Sequence, residues 1–162
     1  MHQTTSKAWK RFNYLSAEIG AAYHDMSYRL GLSDSAMQIL YTICDCGQDG
    51  ICPLQTICRQ TGLAKQTVNS ALRNLETEGI LYLEPIGTKG KNICLTSAGK
   101  QLAENTAVRM INTENEIWAS WRTEDVETYL ALTEKFLHEF QQKTKELKVK
   151  EKSYGKKGNS TL

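Results

Sequence analysis

Apolar residues at Trp9, Phe12, Leu15, Ile19, Tyr23, Met26 and Leu30 recur at three- and four-residue intervals, which places them on one stripe of a long helix. Gly31 ends it. Ser33 is positioned to cap a second helix, because its hydroxyl can accept from first-turn amides, and Ala36, Ile39, Leu40 and Ile43 form that helix's inner face. The segment CDCGQDGICP interrupts the periodicity. Pro53 then suits the first turn of a short third helix that turns Leu54, Ile57 and Cys58 inward, since no amide hydrogen is needed there. Thr61, Gly62 and Leu63 make a tight break before KQTVNSALRNLETEG, in which Val68, Ala71, Leu72 and Leu75 share one face and Gly79 terminates the helix.

The period then shortens. ILYLE (80–84) and NICLT (92–96) read as two strands, joined by PIGTKGK, whose proline and two glycines suit an exposed hairpin loop. Ser97 is expected to cap a long helix running through Trp121. Thr123 is expected to cap the last helix, with Glu124 and Asp125 complementing its positive end. Val126, Tyr129, Leu130, Thr133, Phe136, Leu137 and Phe140 give that helix an apolar stripe. Beyond Leu147 the chain is lysine-rich and apolar-poor and reads as a disordered basic tail. The pattern predicts a mainly α fold of about six helices with a small two-stranded antiparallel wing, a winged helix-turn-helix.

Composition narrows the class. A chain of 162 residues with 40% hydrophobic content can bury a core and fits one globular unit. No stretch approaches the ~20 consecutive apolar residues of a membrane span, and MHQTTSKAWKRF lacks a secretory apolar run, so a cytoplasmic protein without membrane contact is expected. Five cysteines without an export signal fit free thiols in a reducing compartment. The net charge of +2 is unevenly spread: from Lys143 onward seven lysines face only Glu146 and Glu151, which leaves residues 1–142 at −3. Nucleic-acid binding therefore has to rest on local basic residues.

Such residues sit on one helix face. At 100° per residue, Gln66, Asn69, Ser70 and Arg73 lie opposite the row begun by Val68, with Thr67 and Asn74 flanking them and no acidic group before Glu76. Asn and Gln amides pair with the adenine edge and Arg forks onto guanine, so this is a set a major-groove reader needs. An ordinary solvated surface helix would show the same polarity. The context favours reading: a glycine turn precedes the helix, a basic hairpin follows, and Arg59 and Lys65 stand beside it to contact phosphates.

The run from Leu32 to Gly99, containing TGLAKQTVNSALRNLETEGIL and ICLTSAGK, resembles the MarR family of bacterial transcriptional regulators. The resemblance implies a double-stranded DNA-binding regulator, a repressor, working as a homodimer on an inverted-repeat operator and released by a small ligand. It divides the chain into an N-terminal dimerisation helix (1–31), a DNA-binding lobe (32–99), C-terminal dimerisation helices (100–147) and the tail (148–162), with the first and last helices forming the dimer interface. It also carries DNA contact onto the wing residues Thr88, Lys89 and Lys91. It implies a small aromatic ligand in a crevice that Tyr23, His24, Trp118 and Arg122 could line, although packing or surface roles would account for each of them.

There are two departures from the family pattern, at the start of the recognition helix and in the wing. Ala64 stands where the family commonly has a capping Ser. Gly87 and Lys89 replace an Asp and the minor-groove Arg two residues after it; lysine lacks the planar fork, so the wing is expected to supply salt-dependent affinity more than sequence choice.

Cys44, Cys46, Cys52 and Cys58 lie close together, but their spacing is not that of a structural zinc site and no histidine is among them, so no metal or other cofactor is expected. Cys44 and Cys46, at a helix end beside a glycine-rich turn, are candidates for a thiol switch, which makes a redox-responsive regulator one alternative. A winged helix retained for protein contacts without DNA binding is another. The sequence has no P-loop, G-x-S-x-G, H-E-x-x-H or dinucleotide turn, and an enzyme is not expected.

Overall fold

The computed structural model describes residues 6–88 and 90–147. They fall into two compact units, one running through Ile117 and the other beginning at Trp118. Within the described residues the order is α1 (Lys7–Arg29), α2 (Asp34–Cys46), β1 (Ile51–Pro53), α3 (Leu54–Gln60), α4 (Lys65–Thr77), β2 (Leu81–Ile86), β3 (Gly90–Leu95), α5 (Ser97–Asn105), α6 (Ala107–Ala119) and α7 (Thr123–Glu146).

The first unit is built on the faces that the periodicity predicts. Ile39, Leu40 and Ile43 of α2, Ile57 of α3 and Val68, Leu72 and Leu75 of α4 are all buried in one cluster, sealed by Leu81 and Ile93 of the hairpin. Ser33 caps α2 by accepting from the Ala36 amide at 3.3 Å. Gly31 and Gly62 adopt left-handed φ values of 77° and 62°, which the breaks after α1 and before α4 require. Of α1, Ser27 is buried and Met26 and Leu30 pack against the core, while Phe12, Leu15 and Ile19 are exposed.

The wing contains a third strand in addition to the two that the sequence predicts. The sheet has the order β1-β3-β2, with Cys52 opposite Ile93 and Pro53 opposite Asn92. A two-residue turn produces it. Asp49 (φ 55°) and Gly50 (φ 82°) reverse the chain, and Gln48 and Ile51 exchange both backbone hydrogen bonds at 2.9 Å. Pro53 consequently ends a strand and occupies the cap position of α3, one residue ahead of the first turn. The β2–β3 ladder also runs further than predicted, to Ile86 opposite Gly90.

The helix expected from Ser97 through Trp121 is divided at Thr106, whose backbone leaves the helical region (φ −130°, ψ −82°) while its hydroxyl donates to the Leu102 carbonyl at 2.6 Å. The break keeps Ala103, Ala107 and Met110 all on the core. There are thus seven helices among the described residues where about six were predicted. Thr96, rather than Ser97, caps α5. Its hydroxyl accepts from the Gly99 amide at 3.0 Å and donates to the Gly79 carbonyl at 2.7 Å, tying the start of α5 to the end of the recognition segment. Gly99 is required there, because a Cβ would overlap the Ile80 carbonyl.

In the second unit α7 begins one residue earlier than a Thr123 cap would give. Arg122 holds the cap position without a side-chain cap and instead forks onto Asp125 through Nε and Nη2, both at 2.8 Å. Glu124 and Asp125 occupy the first turn and Lys143 and Lys145 the last, matching the helix dipole at both ends. No residue of this helix is buried. The predicted basic tail from 148 lies outside the described residues.

Candidate nucleic-acid interface

Helix α4 is held by one face and open on the other. Val68, Ala71, Leu72 and Leu75 fix it against the core through α2, so its rotation about its own axis is set by packing. Lys65, Gln66, Thr67, Asn69, Ser70, Arg73 and Asn74 are in consequence exposed. Among the described residues none hydrogen-bonds or ion-pairs with these side chains. A row of amides, hydroxyls and a guanidinium that the chain leaves unsatisfied can bond base edges without first breaking an internal contact. Glu76 and Glu78 follow only at the far end of the helix.

Positively charged groups flank this row. Lys65 and Lys91 line the same groove of about 780 Å³, which runs between α3, the first turn of α4 and the wing, over Leu54, Leu63 and Ile86. Arg59 is exposed in the last turn of α3. Thr88 is exposed in the wing turn beside Gly87, whose φ of 56° accounts for glycine at that position. Lys89 lies outside the described residues. The start of α4 has no side-chain cap: Ala64 has the extended backbone of a capping residue (φ −60°, ψ 140°) but offers no acceptor.

The first unit also holds a second feature. A cavity of about 490 Å³ opens between α1, α2 and α6, and its lining includes Tyr23, His24, Tyr41 and Glu114. Tyr23 and Tyr41 each donate to one oxygen of Glu114 at 2.6 Å, so a single carboxylate joins three helices. Burial and the Glu114 carboxylate push the Tyr41 phenol well above its ordinary range, so it remains a donor at any physiological pH. Gln60 and Thr61 also line the cavity, immediately ahead of the turn into α4. Of the four residues the sequence suggested for a ligand crevice, Tyr23 and His24 are here. Trp118 and Arg122 are not among the lining residues: Trp118 packs tilted against Trp121 and edge-on to Tyr129 in the second unit, and Arg122 is engaged with Asp125. Tyr41 and Glu114, which sequence reasoning missed, are separated by 73 positions, and no local motif links them.

Of the thiols, Cys58 lines the groove beside Lys65, whereas Cys44 and Cys46 line neither feature. Burial, followed by the nearby Glu104, raises the Cys44 thiol, and a hydrogen bond to Asp45 at 3.2 Å raises that of Cys46. Both environments disfavour the reactive thiolate. All five cysteines are free, and among the described residues no group of three ligating side chains could hold a metal ion. No helix among those residues is long and apolar enough to cross a membrane.

Residues 30–81 match the family model described as a helix-turn-helix domain. The chain shares its fold with solved structures of MarR-family regulators. The chain is similar to AbsC, a MarR family transcriptional regulator from Streptomyces coelicolor (13% identity, TM-score 0.69, 87% of this chain and 99% of that one). It is similar to MepR of S. aureus in complex with DNA (22% identity, TM-score 0.66, 83% and 96%). It is also similar to NadR in complex with 4-hydroxyphenylacetate (12% identity, TM-score 0.63, 84% and 96%). No curated protein is similar enough to the chain to count as a match.

Proposed function

We propose that this chain, which folds as MarR-family regulators fold, is a sequence-specific regulator of transcription that binds duplex DNA as a homodimer, a repressor released by a small ligand. The observation that carries the DNA-binding reading is the unsatisfied polar row of α4, whose orientation the core enforces, beside two lysines on one groove. Gln66, Asn69, Ser70 and Arg73 read base edges in the major groove; Arg59, Lys65, Thr88, Lys89 and Lys91 contact phosphate and position the lobe. MepR, of the same fold, has been captured on DNA. The test is a gel-shift series in rising salt. Affinity should fall steeply and linearly on logarithmic axes, and Arg73→Ala should relax sequence preference at one position of each half-site, at a cost of about 1–3 kcal/mol. Binding that ignores salt, or no binding to any duplex, would favour a protein-interaction module instead.

The homodimer accounts for surface that a lone chain would waste. Phe12, Leu15 and Ile19 of α1 are about half exposed, and Leu132 and Phe140 of α7 are 62% and 61% exposed. Withdrawing the remaining exposed part of each such side chain from water contributes roughly 1 kcal/mol, about half the value for full burial, so stripes of this length on helices of 23 and 24 residues call for a partner surface of the same kind. A second copy supplies one by symmetry. It would set two α4 helices about one DNA turn, ~34 Å, apart on an inverted repeat. A monomer in light scattering at micromolar concentration would contradict this.

Ligand control is assigned to the cavity at Glu114. Because Gln60 and Thr61 form part of its wall, an occupant pressing on them acts on the turn that sets the angle of α4. NadR, of the same fold, binds 4-hydroxyphenylacetate.

A further inference from the structure

We infer that the cavity at Glu114 selects an organic cation, a ligand with an amidinium or ammonium head on an aromatic or aliphatic body, and rejects carboxylates. The inference rests on the ligand-controlled reading above and adds its chemical class. Its basis is the distribution of donors and acceptors over the cavity wall.

The hydroxyl protons of the wall are already committed. Tyr23 and Tyr41 donate to Glu114, Ser27 donates to the Tyr23 carbonyl, Thr42 to the Gln38 carbonyl and Thr61 to the Ile57 carbonyl. What these groups turn towards an occupant is lone pairs. No lysine or arginine lines the cavity; its formal charges are Glu114 and Asp34, the latter paired with His24 Nδ1 at 2.8 Å. Besides His24, the side-chain donors left to an occupant are the neutral amides of Gln38 and Gln60, so an anionic ligand entering here would leave water for a wall with no full positive charge of a lysine or arginine and two carboxylates, which costs more than it returns.

A cation meets the opposite balance. Each Glu114 oxygen accepts one tyrosine proton, so roughly half of its four lone-pair sites remain, enough for the two parallel N–H groups of an amidinium. The tyrosine rings and the thioethers of Met37 and Met110, also in the wall, offer polarizable surface to the rest of the molecule. Glu114 is half-buried, so its carboxylate reaches the ligand without the full penalty of a buried charge.

Three isosteric probes separate charge from shape: naphthalene-2-carboxamidine, 2-naphthamide and 2-naphthoate, titrated into the full chain by calorimetry. The amidine should bind at least about tenfold more tightly than the amide, with the naphthoate weakest, a gap set by charge-assisted hydrogen bonds. Glu114→Gln should remove that advantage while leaving amide binding within a few-fold; Tyr41→Phe, which frees one lone pair of Glu114, should retain the preference for the cation. Naphthoate binding as tightly as the amidine overturns the cation assignment and leaves a ligand cavity standing. Failure of all three probes to bind, with no effect on DNA release, overturns both.

Discussion

Ala64→Ser isolates a single missing hydrogen bond at the most consequential helix start in the molecule. Among the described residues three helices are capped by hydroxyls: α1 by Ser6 (3.1 Å to the Trp9 amide), α2 by Ser33 (3.3 Å to Ala36) and α5 by Thr96 (3.0 Å to Gly99). Helix α4 has no such cap, although the backbone of Ala64 already has the extended conformation that a capping residue needs. A serine there requires no rearrangement and should stabilise the fold by about 1 kcal/mol, the usual worth of an N-cap. For a chain of this size that corresponds to a rise in melting temperature of about 2–4 °C. Ser33→Ala is the mirror experiment; its 3.3 Å bond is long, so its loss should fall at the low end of the range, ~0.5–1 kcal/mol. Both are read by thermal unfolding without DNA at a fixed protomer concentration, since a dimer's midpoint depends on concentration. An unchanged or lower midpoint for Ala64→Ser, with Ser33→Ala behaving as expected, would place the start of α4 elsewhere and with it the face assigned to the DNA.

Other expectations follow from the same contacts. Gly99→Ala forces a Cβ against the Ile80 carbonyl and should destabilise by about 1–3 kcal/mol in chemical denaturation; a neutral result would mean that the α5 start is not pinned to the wing. Lys91→Ala should weaken all duplexes alike and flatten the logarithmic salt dependence by about one phosphate contact in a filter-binding series. Because the surroundings of Cys44 and Cys46 raise both thiols, mild peroxide at neutral pH should leave DNA affinity unchanged; a reversible loss of binding would restore the redox reading. Leu40→Ala, at the centre of the buried cluster, should cost about 2–5 kcal/mol in denaturant unfolding.

The strongly periodic segments could be read directly. Val68, Ala71, Leu72 and Leu75 are buried as their spacing requires, and that alone turns Gln66, Asn69 and Arg73 outward. What was harder to read depended on short or long-range signals. Strand β1 is three residues long, too short for any period, yet Asp49-Gly50 is a hairpin dipeptide whose two left-handed residues announce it. The break at Thr106 involves neither glycine nor proline; keeping Ala103, Ala107 and Met110 on one core decides it, and no local pattern encodes that demand. Likewise the Tyr23–Glu114–Tyr41 arrangement is a tertiary product of three helices, and a lone Glu on an amphipathic helix looks like any solvated charge.

The central claim is that α4 reads DNA as one half of a symmetric pair. Selection of bound sequences from random duplex DNA by the full chain tests it most directly. The account predicts enrichment of an inverted repeat whose half-sites lie about 10–10.5 base pairs apart, centre to centre, with the preference at one position of each half-site relaxed in Arg73→Ala. Recovery of no enriched sequence, or of a single half-site without its inverted mate, would contradict it.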